Sequence, residues 1–334
     1  MKILFVNQRL ATFVKKDLDI LSENHTVHSI YFSGLKDIFD VYRQVKWCDI
    51  TYSWFCSPHA FFTVLLSKVL EKKSVVVAGG YDVVNAPDIK YGVYYGSTPI
   101  RILKQLFSML TFKMVDLVLC VSKSNVEEAI NNAKVRPEKI RLVYHGFKHA
   151  IYSPIDTIIK EPIVLTVGDV SSSTSLRKGH DLFVKSAAYL PHVQFVIVGK
   201  EFDDYALRLK KNAPENVSFL GNVSNEKLLE IFRRSKVYVQ TSRHEGFGCA
   251  VAEAMLCECV PVVTRRTALP EVVGDCGFYV DELTPESVAN KIKEALSTGN
   301  DMGKKARKRI MDNFTEEKRG KELKIHLEDL TGLK

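Results

Sequence analysis

Two glutamates, Glu245 and Glu253, have seven residues between them that include a glycine-bearing turn, Gly246-Phe247-Gly248. The turn follows an apolar run at 237–240 that reads as a buried strand, and it leads into helix-forming residues as far as about Cys257. A strand ending in such a turn leaves backbone N–H groups unpaired at the start of a helix, with the positive end of the helix dipole behind them. An anion, a phosphate in particular, is therefore expected at Gly246 to Gly248. Glu253 lies about five residues into the helix, which at ~1.5 Å per residue sets it roughly 7–8 Å from that anion, about the reach from a diphosphate to its ribose. A carboxylate there can accept hydrogen bonds from both ribose hydroxyls, while Glu245 on the loop faces whatever is attached beyond the phosphates. The same spacing also describes an ordinary strand–turn–helix unit with two surface glutamates.

A second group of residues fits the same chemistry. Val167-Gly168 ends a strand, and the segment 169–176 leads to Arg177-Lys178-Gly179. Two cations at the start of the next helix can neutralise a diphosphate and stabilise the charge that builds as a phosphate leaves; exposed bases at a helix start are the plainer alternative. The serine-rich stretch 171–175 is expected to be a loop that is mobile until its ligand binds. In the first half, Gly79-Gly80 after an apolar strand permits close backbone approach of a ligand, and Tyr81, Asp82 and Asn85 add sugar-compatible hydrogen-bonding groups. Asp203-Asp204 reads as a helix cap rather than a metal pair. Cys257-Glu258-Cys259 lacks a second ligand pair at zinc spacing, so the seven cysteines are read as reduced core thiols, with no metal and no disulfide framework.

These residues need strands and helices to hold them. Strands are expected at 3–7, 26–32, 50–53, 75–78, 117–121 and 141–144, and again at 163–167, 194–198, 217–220, 237–240, 260–264 and 277–280. Helices are expected between them, including 100–114, 179–189 and 248–256, with a helical C-terminal stretch from residue 302. Strands alternating with helices predict parallel sheets covered on both faces, with ligands outside the carboxyl ends of the strands. Regular alternation stops between 145 and 162, which reads as a connector.

Glu245-Gly246-Phe247-Gly248 with Glu253, followed by Cys259-Val260-Pro261-Val262-Val263-Thr264 and Ala268-Leu269-Pro270-Glu271-Val272-Val273, resembles the signature of the retaining GT-B glycosyltransferases of glycosyltransferase family 4. Lys178-Gly179 and the strand and turn 217–223, with Leu220 and Gly221, resemble further segments of that family. The resemblance implies an α/β fold of two Rossmann-like doubly wound domains facing a cleft (GT-B). It implies an acceptor-binding domain over 1–150, a nucleotide-sugar-binding domain over 160–310, and a helix at 311–334 crossing back to the first domain. It implies a metal-independent, hexosyltransferase-type retaining enzyme that uses no cofactor and takes a UDP- or GDP-linked sugar as donor. In it, Glu245, Lys178 and Arg177 would be catalytic, and Gly168, Gly246, Phe247, Gly248, Glu253, Leu220 and Gly221 would bind the donor. Gly79, Gly80, Tyr81, Asp82 and Asn85 would lie on the acceptor side.

Four positions depart from the family pattern. Asp169 stands where an arginine is usual, Asn7-Gln8-Arg9 replaces a Gly-Gly pair after the first strand, and Gly79-Gly80-Tyr81-Asp82 lacks the usual histidine. His145 replaces a usual asparagine and is read as structural.

At 334 residues, 46% hydrophobic and 26% charged, the chain is long enough for two globular domains. Its first apolar run is too short for a signal peptide, and no run approaches the ~18–20 apolar residues that cross a bilayer, so a cytoplasmic protein is expected. The net charge of +8 suits anionic partners. A stretch at 99–114 with apolar residues at helical spacing and Arg101, Lys104 and Lys113 suits the inner face of an acidic membrane, as it suits a core helix with solvated bases. A sugar-nucleotide epimerase of the same fold and a non-catalytic basic binding module are the competing functions; a nucleic-acid motif is lacking, and no nucleic-acid partner is expected.

Overall fold

The computed structural model describes residues 1–155 and 157–333, which form two compact units: residues 1–146 with 316–333, and residues 147–155 with 157–315. Six parallel strands make the first sheet: β1 (Lys2–Asn7), β2 (Thr26–Tyr31), β3 (Ile50–Trp54), β4 (Lys73–Ala78), β5 (Leu117–Cys120) and β6 (Ile140–Leu142). Another six make the second: β7 (Glu161–Val167), β8 (Gln194–Val198), β9 (Val217–Phe219), β10 (Ser235–Gln240), β11 (Val260–Thr264) and β12 (Phe278–Val280). The central strands are buried almost end to end, because helices cover both faces and leave no solvent side for alternating exposed residues.

The strand orders determine where each sheet opens. The first runs β2-β1-β3-β4-β5-β6, so its direction of winding reverses between β1 and β3. The second runs β12-β11-β10-β7-β8-β9 and reverses between β7 and β10. Adjacent connections leave on opposite faces at such a point, which creates a crevice outside the carboxyl ends of the two strands. In the second unit those ends are Gly168 and the segment 241–248.

The last helix, Glu316–Thr331, belongs to the first unit, and one buried ion pair fixes it there. Arg319 Nε and Nη2 reach the two carboxylate oxygens of Asp17 at 2.5 and 2.7 Å, and Nη1 donates to the carbonyls of Val143 and Tyr144. Tyr52 Oη and Trp54 Nε1 also donate to Asp17 Oδ2. Asp17 and Arg319 are 0% and 2% exposed, so every polar atom of the pair needs such a partner.

The helix Pro99–Met114 turns polar residues inward and apolar ones outward. Ser108 and Thr111 are buried, Ser108 accepts the Tyr94 hydroxyl at 2.9 Å, and Gln105 donates to the carbonyls of Val93 and Gly96. Arg101 lies on the Tyr95 ring. Ile102, Leu103, Leu106, Met109 and Leu110 are exposed, so this is not an ordinary core helix. No helix among the described residues is long and apolar enough to cross a membrane.

Two local expectations are corrected. The serine-rich stretch is a helix, Ser172–Lys178, because Ser171 caps it by accepting the Thr174 N–H and Asp203 accepts the Ser172 N–H and hydroxyl. Arg177 and Lys178 therefore end a helix, where cations suit the dipole, instead of starting one. Gly179 then takes φ 74°, and a Cβ there would meet the Thr241 carbonyl at 2.3 Å, so only glycine joins this helix to His180–Ser186. Asp203 also accepts the Tyr205 N–H, as a helix cap does.

Candidate active site

Around Glu245 the polar groups of the second unit converge. Its Oε1 lies 2.9 Å from Lys178 Nζ and 3.4 Å from Arg177 Nη1, and it accepts from Gln240 Nε2 and Ser242 Oγ at 2.7 Å each. The residue is 8% exposed. Burial alone would raise its pKa, but the charges of Lys178 and Arg177 and the Ser242 hydroxyl outweigh it and hold the carboxyl at about 2. The cations are placed by backbone: Arg243 N–H donates to the Arg177 carbonyl, and Arg177 Nη1 also reaches the His244 carbonyl. Glu245 N–H donates to Thr267 Oγ1, which fixes the loop on its other side.

The turn after Glu245 is anchored by its aromatic residue. Phe247 is 3% exposed and packs on the rings of Phe147 and Phe314 at 5.9 and 5.4 Å, so its side chain serves the core and leaves its backbone to the site. Gly246 is half-buried, and Gly248 is the N-cap of the helix Cys249–Leu256, with φ 102°. Glu253 stands on that helix with a partner from the start of the unit, the Tyr152 hydroxyl, whose pKa is raised by burial and then by Glu253. Arg307 holds Tyr152 by donating to its carbonyl. Gly168 ends β7, and Leu220 and Gly221 form the turn after β9, where the Gly221 carbonyl accepts from Gly199 N–H.

Gly168, Leu220, Gly221 and 241–248 follow the carboxyl ends of strands of one parallel sheet, and Gly168, Arg177, Lys178 and 241–248 collect at its β7/β10 reversal. Residues 156–311 match the family described as glycosyl transferases group 1. That stretch includes every residue of the second unit named above except Phe147, Tyr152, Phe314 and their neighbours outside it. A phosphatidylinositol N-acetylglucosaminyltransferase subunit from Arabidopsis thaliana is 26% identical over 198 residues, 57% of this chain and 44% of that protein. The O-antigen chain mannosyltransferase B of Escherichia coli is 35% identical over 80 residues, 24% of this chain and 21% of that protein. The chain thus spans less than half the length of these curated relatives. Among solved structures, Anabaena HepE in complex with UDP has a TM-score of 0.82 at 17% identity, covering 99% of this chain and 100% of that one. A sucrose-phosphate synthase from Thermosynechococcus elongatus has a TM-score of 0.76 at 16% identity, covering 100% of both chains. The fold is the two-domain α/β fold of these GT-B neighbours.

The first unit gives its candidate residues other tasks than the spacing suggests. Asp82 is 1% exposed; Oδ1 accepts from the Gly79 and Gly80 N–H groups and Oδ2 from Cys56 N–H. It therefore pins the loops after β3 and β4 together, and burial pushes its pKa up to about 6. The space that Gly79 leaves open is filled by Phe55, whose Cε1 would be 2.2 Å from an added Cβ. Phe55 itself has φ 66°, a strained backbone at the carboxyl end of β3. Tyr81 and Asn85 are exposed, and Tyr81 lines a pocket of 160 Å³ with Cys56, Lys104 and Phe107. His145 is buried against Trp54 and Phe13, a packing role.

Tyr152 and His180 carry no signal in the sequence. Gln240 and Ser242 carry a faint one, as polar residues closing a run that is otherwise buried.

Proposed function

We propose that the chain is a retaining glycosyltransferase that moves a sugar from a UDP- or GDP-linked donor to a glycan, lipid-linked or small-molecule acceptor. The observation that carries this is Glu245 Oε1 held by Lys178 and Arg177 at the carboxyl ends of β7 and β10. Cleaving a glycosyl–phosphate bond puts a further negative charge on the diphosphate, and two cations held beside the site, paired with Glu245 until a phosphate draws them over, favour that leaving group. They supply the charge that a divalent ion supplies elsewhere. A carboxyl whose pKa is about 2 is a weak base and a weak nucleophile, so Glu245 suits the binding of sugar hydroxyls better than attack on the anomeric carbon. Front-face attack, with the leaving phosphate taking the acceptor's proton, accounts for retention without a carboxylate nucleophile. Glu253, oriented by Tyr152, suits the ribose hydroxyls.

The outward-facing leucines of the helix Pro99–Met114 favour a membrane-borne acceptor. The helix has no acidic residue, Lys104 and Lys113 are exposed, and a groove of 650 Å³ beside it is lined by Leu106, Met109, Leu110 and the bases Lys134 and Arg136. Apolar side chains ringed by cations fit an anionic lipid surface.

A thermal-shift screen with nucleoside diphosphates and their sugar conjugates tests the donor site, since a ligand of the folded state raises its melting temperature. Acceptor-dependent release of nucleoside diphosphate then separates transfer from epimerisation, and NMR of the product gives its anomeric configuration. A chain stabilised by no sugar nucleotide, or one that interconverts a donor without releasing the diphosphate, would refute the proposal.

A further inference from the structure

His180 follows Gly179 and opens the helix His180–Ser186, and it is 1% exposed. One side of its ring is fixed: Nδ1 lies 3.1 Å from the buried Ser175 Oγ. The other nitrogen, Nε2, is buried with no hydrogen-bond partner among the described residues. Such a group costs free energy unless something outside the chain satisfies it. Its surroundings point to what that is. A Cβ added to Gly168, at the end of β7, would stand 3.3 Å from Nε2 and 3.4 Å from Lys178 Cδ and Cε. The missing side chain thus brings bare backbone up to an imidazole nitrogen and to the stem of the lysine that binds Glu245. A ligand oxygen drawn in by Lys178 and lying against that backbone is the group placed to approach Nε2.

We infer that His180 Nε2–H donates a hydrogen bond to a phosphate oxygen of the nucleoside diphosphate, seated against Gly168. The inference rests on the donor site proposed above. Burial first, and then the charges of Lys178 and Arg177, hold the imidazole pKa down to about 3, so the ring is neutral and carries one hydrogen. An anion at Nε2 selects the tautomer in which Ser175 donates to Nδ1. A neutral N–H beside two cations adds a directed contact without a third charge that would repel them.

Isothermal titration of UDP and of GDP into the wild type, His180→Asn, His180→Gln and Gly168→Ala tests this. The asparagine amide extends only to the Nδ1 position and keeps the Ser175 contact, whereas glutamine returns an N–H near Nε2. A hydrogen bond to a charged group corresponds to a loss of about tenfold or more in His180→Asn, and near wild-type affinity is expected in His180→Gln. Gly168→Ala keeps the imidazole but sets a methyl group 3.3 Å from Nε2, between it and an approaching oxygen, and is expected to lose affinity by a similar factor. Wild-type affinity in either His180→Asn or Gly168→Ala overturns the inference, as does equal loss in His180→Gln and His180→Asn. If the wild type itself binds neither UDP nor GDP, the donor-site reading falls and this one falls with it.

Discussion

Glu245 meets any ligand already paired, and that shapes what its removal does. A diphosphate has to draw Lys178 away from Oε1, 2.9 Å away, so carboxylate and ligand compete for one ammonium. In Glu245→Gln the competitor is neutral and the cations are under-compensated. UDP or GDP is then expected to bind as tightly as in the wild type or more tightly, while turnover with the sugar nucleotide falls by about 10²-fold or more, the range for losing one preorganised electrostatic group. Titration of the nucleotide alongside steady-state rates separates the two; weaker nucleotide binding with unchanged turnover contradicts the assignment. Glu253→Ala has the opposite pattern, with nucleotide affinity lost first, and Tyr152→Phe is expected to give a smaller loss in the same direction. The two glutamates are legible in the sequence because a loop–helix spacing is local. Gln240, Ser242, Tyr152 and His180 are not, since each gains its meaning from a neighbour that only the packing supplies.

At the scale of elements, all twelve strands fall within two residues of the bounds expected from hydrophobic patterning, because buried parallel strands are continuous apolar runs. The helix Ser172–Lys178 escapes such patterning because serine and threonine are weak helix formers, and here a cap from Ser171 and one from Asp203 supply what propensity lacks. The helix Pro99–Met114 is legible, but its orientation is not. Periodicity reports an apolar face without saying whether it turns inward, and here Tyr94, Val93 and Gly96 claim the polar side. The exposed face makes a testable demand. The chain is expected to float with vesicles containing phosphatidylglycerol and to bind phosphatidylcholine vesicles far less, since each base near an anionic surface contributes roughly 1 kcal/mol. Lys104→Glu with Lys113→Glu is expected to remove the preference for anionic lipid, and Leu103→Ser with Leu106→Ser to weaken binding to both. Equal recovery of all variants with both vesicles would leave the helix without a lipid role.

For the whole molecule, neither closing ion pair nor acid response is written in local sequence. Asp17 and Arg319 are 302 residues apart, and nothing in either neighbourhood marks them as partners. Arg319→Ala strands a buried carboxylate and two carbonyls, and is expected to destabilise the first unit by about 3–5 kcal/mol in denaturant unfolding. The acid response follows from buried histidines that the fold keeps neutral. In the first unit burial lowers His59 to about 4 and His145 well below its usual range, while it raises Asp82 to about 6. The unfolded chain protonates each histidine near its ordinary value and the native state does not, so each withdraws stability as pH falls below 6.5. Asp82 acts in the other direction, because the native state takes its proton from about pH 6 and the unfolded chain only near 3.8. Near pH 5 the two buried histidines outweigh Asp82, so the unfolded first unit binds more protons and stability falls with pH. In the second unit His180, at about 3, gives a slope of about 1.4 kcal/mol per pH unit, and Glu245, at about 2, adds its loss only below pH 4.5. Calorimetry from about pH 7 to 4.5 is thus expected to show the transitions of both units falling, without recovery in the most acidic buffers. His180→Gln removes the titrating group from the second unit alone, so its transition should become nearly independent of pH over that range while that of the first unit still falls; an unchanged slope in this variant would mean that His180 is not held neutral by the fold.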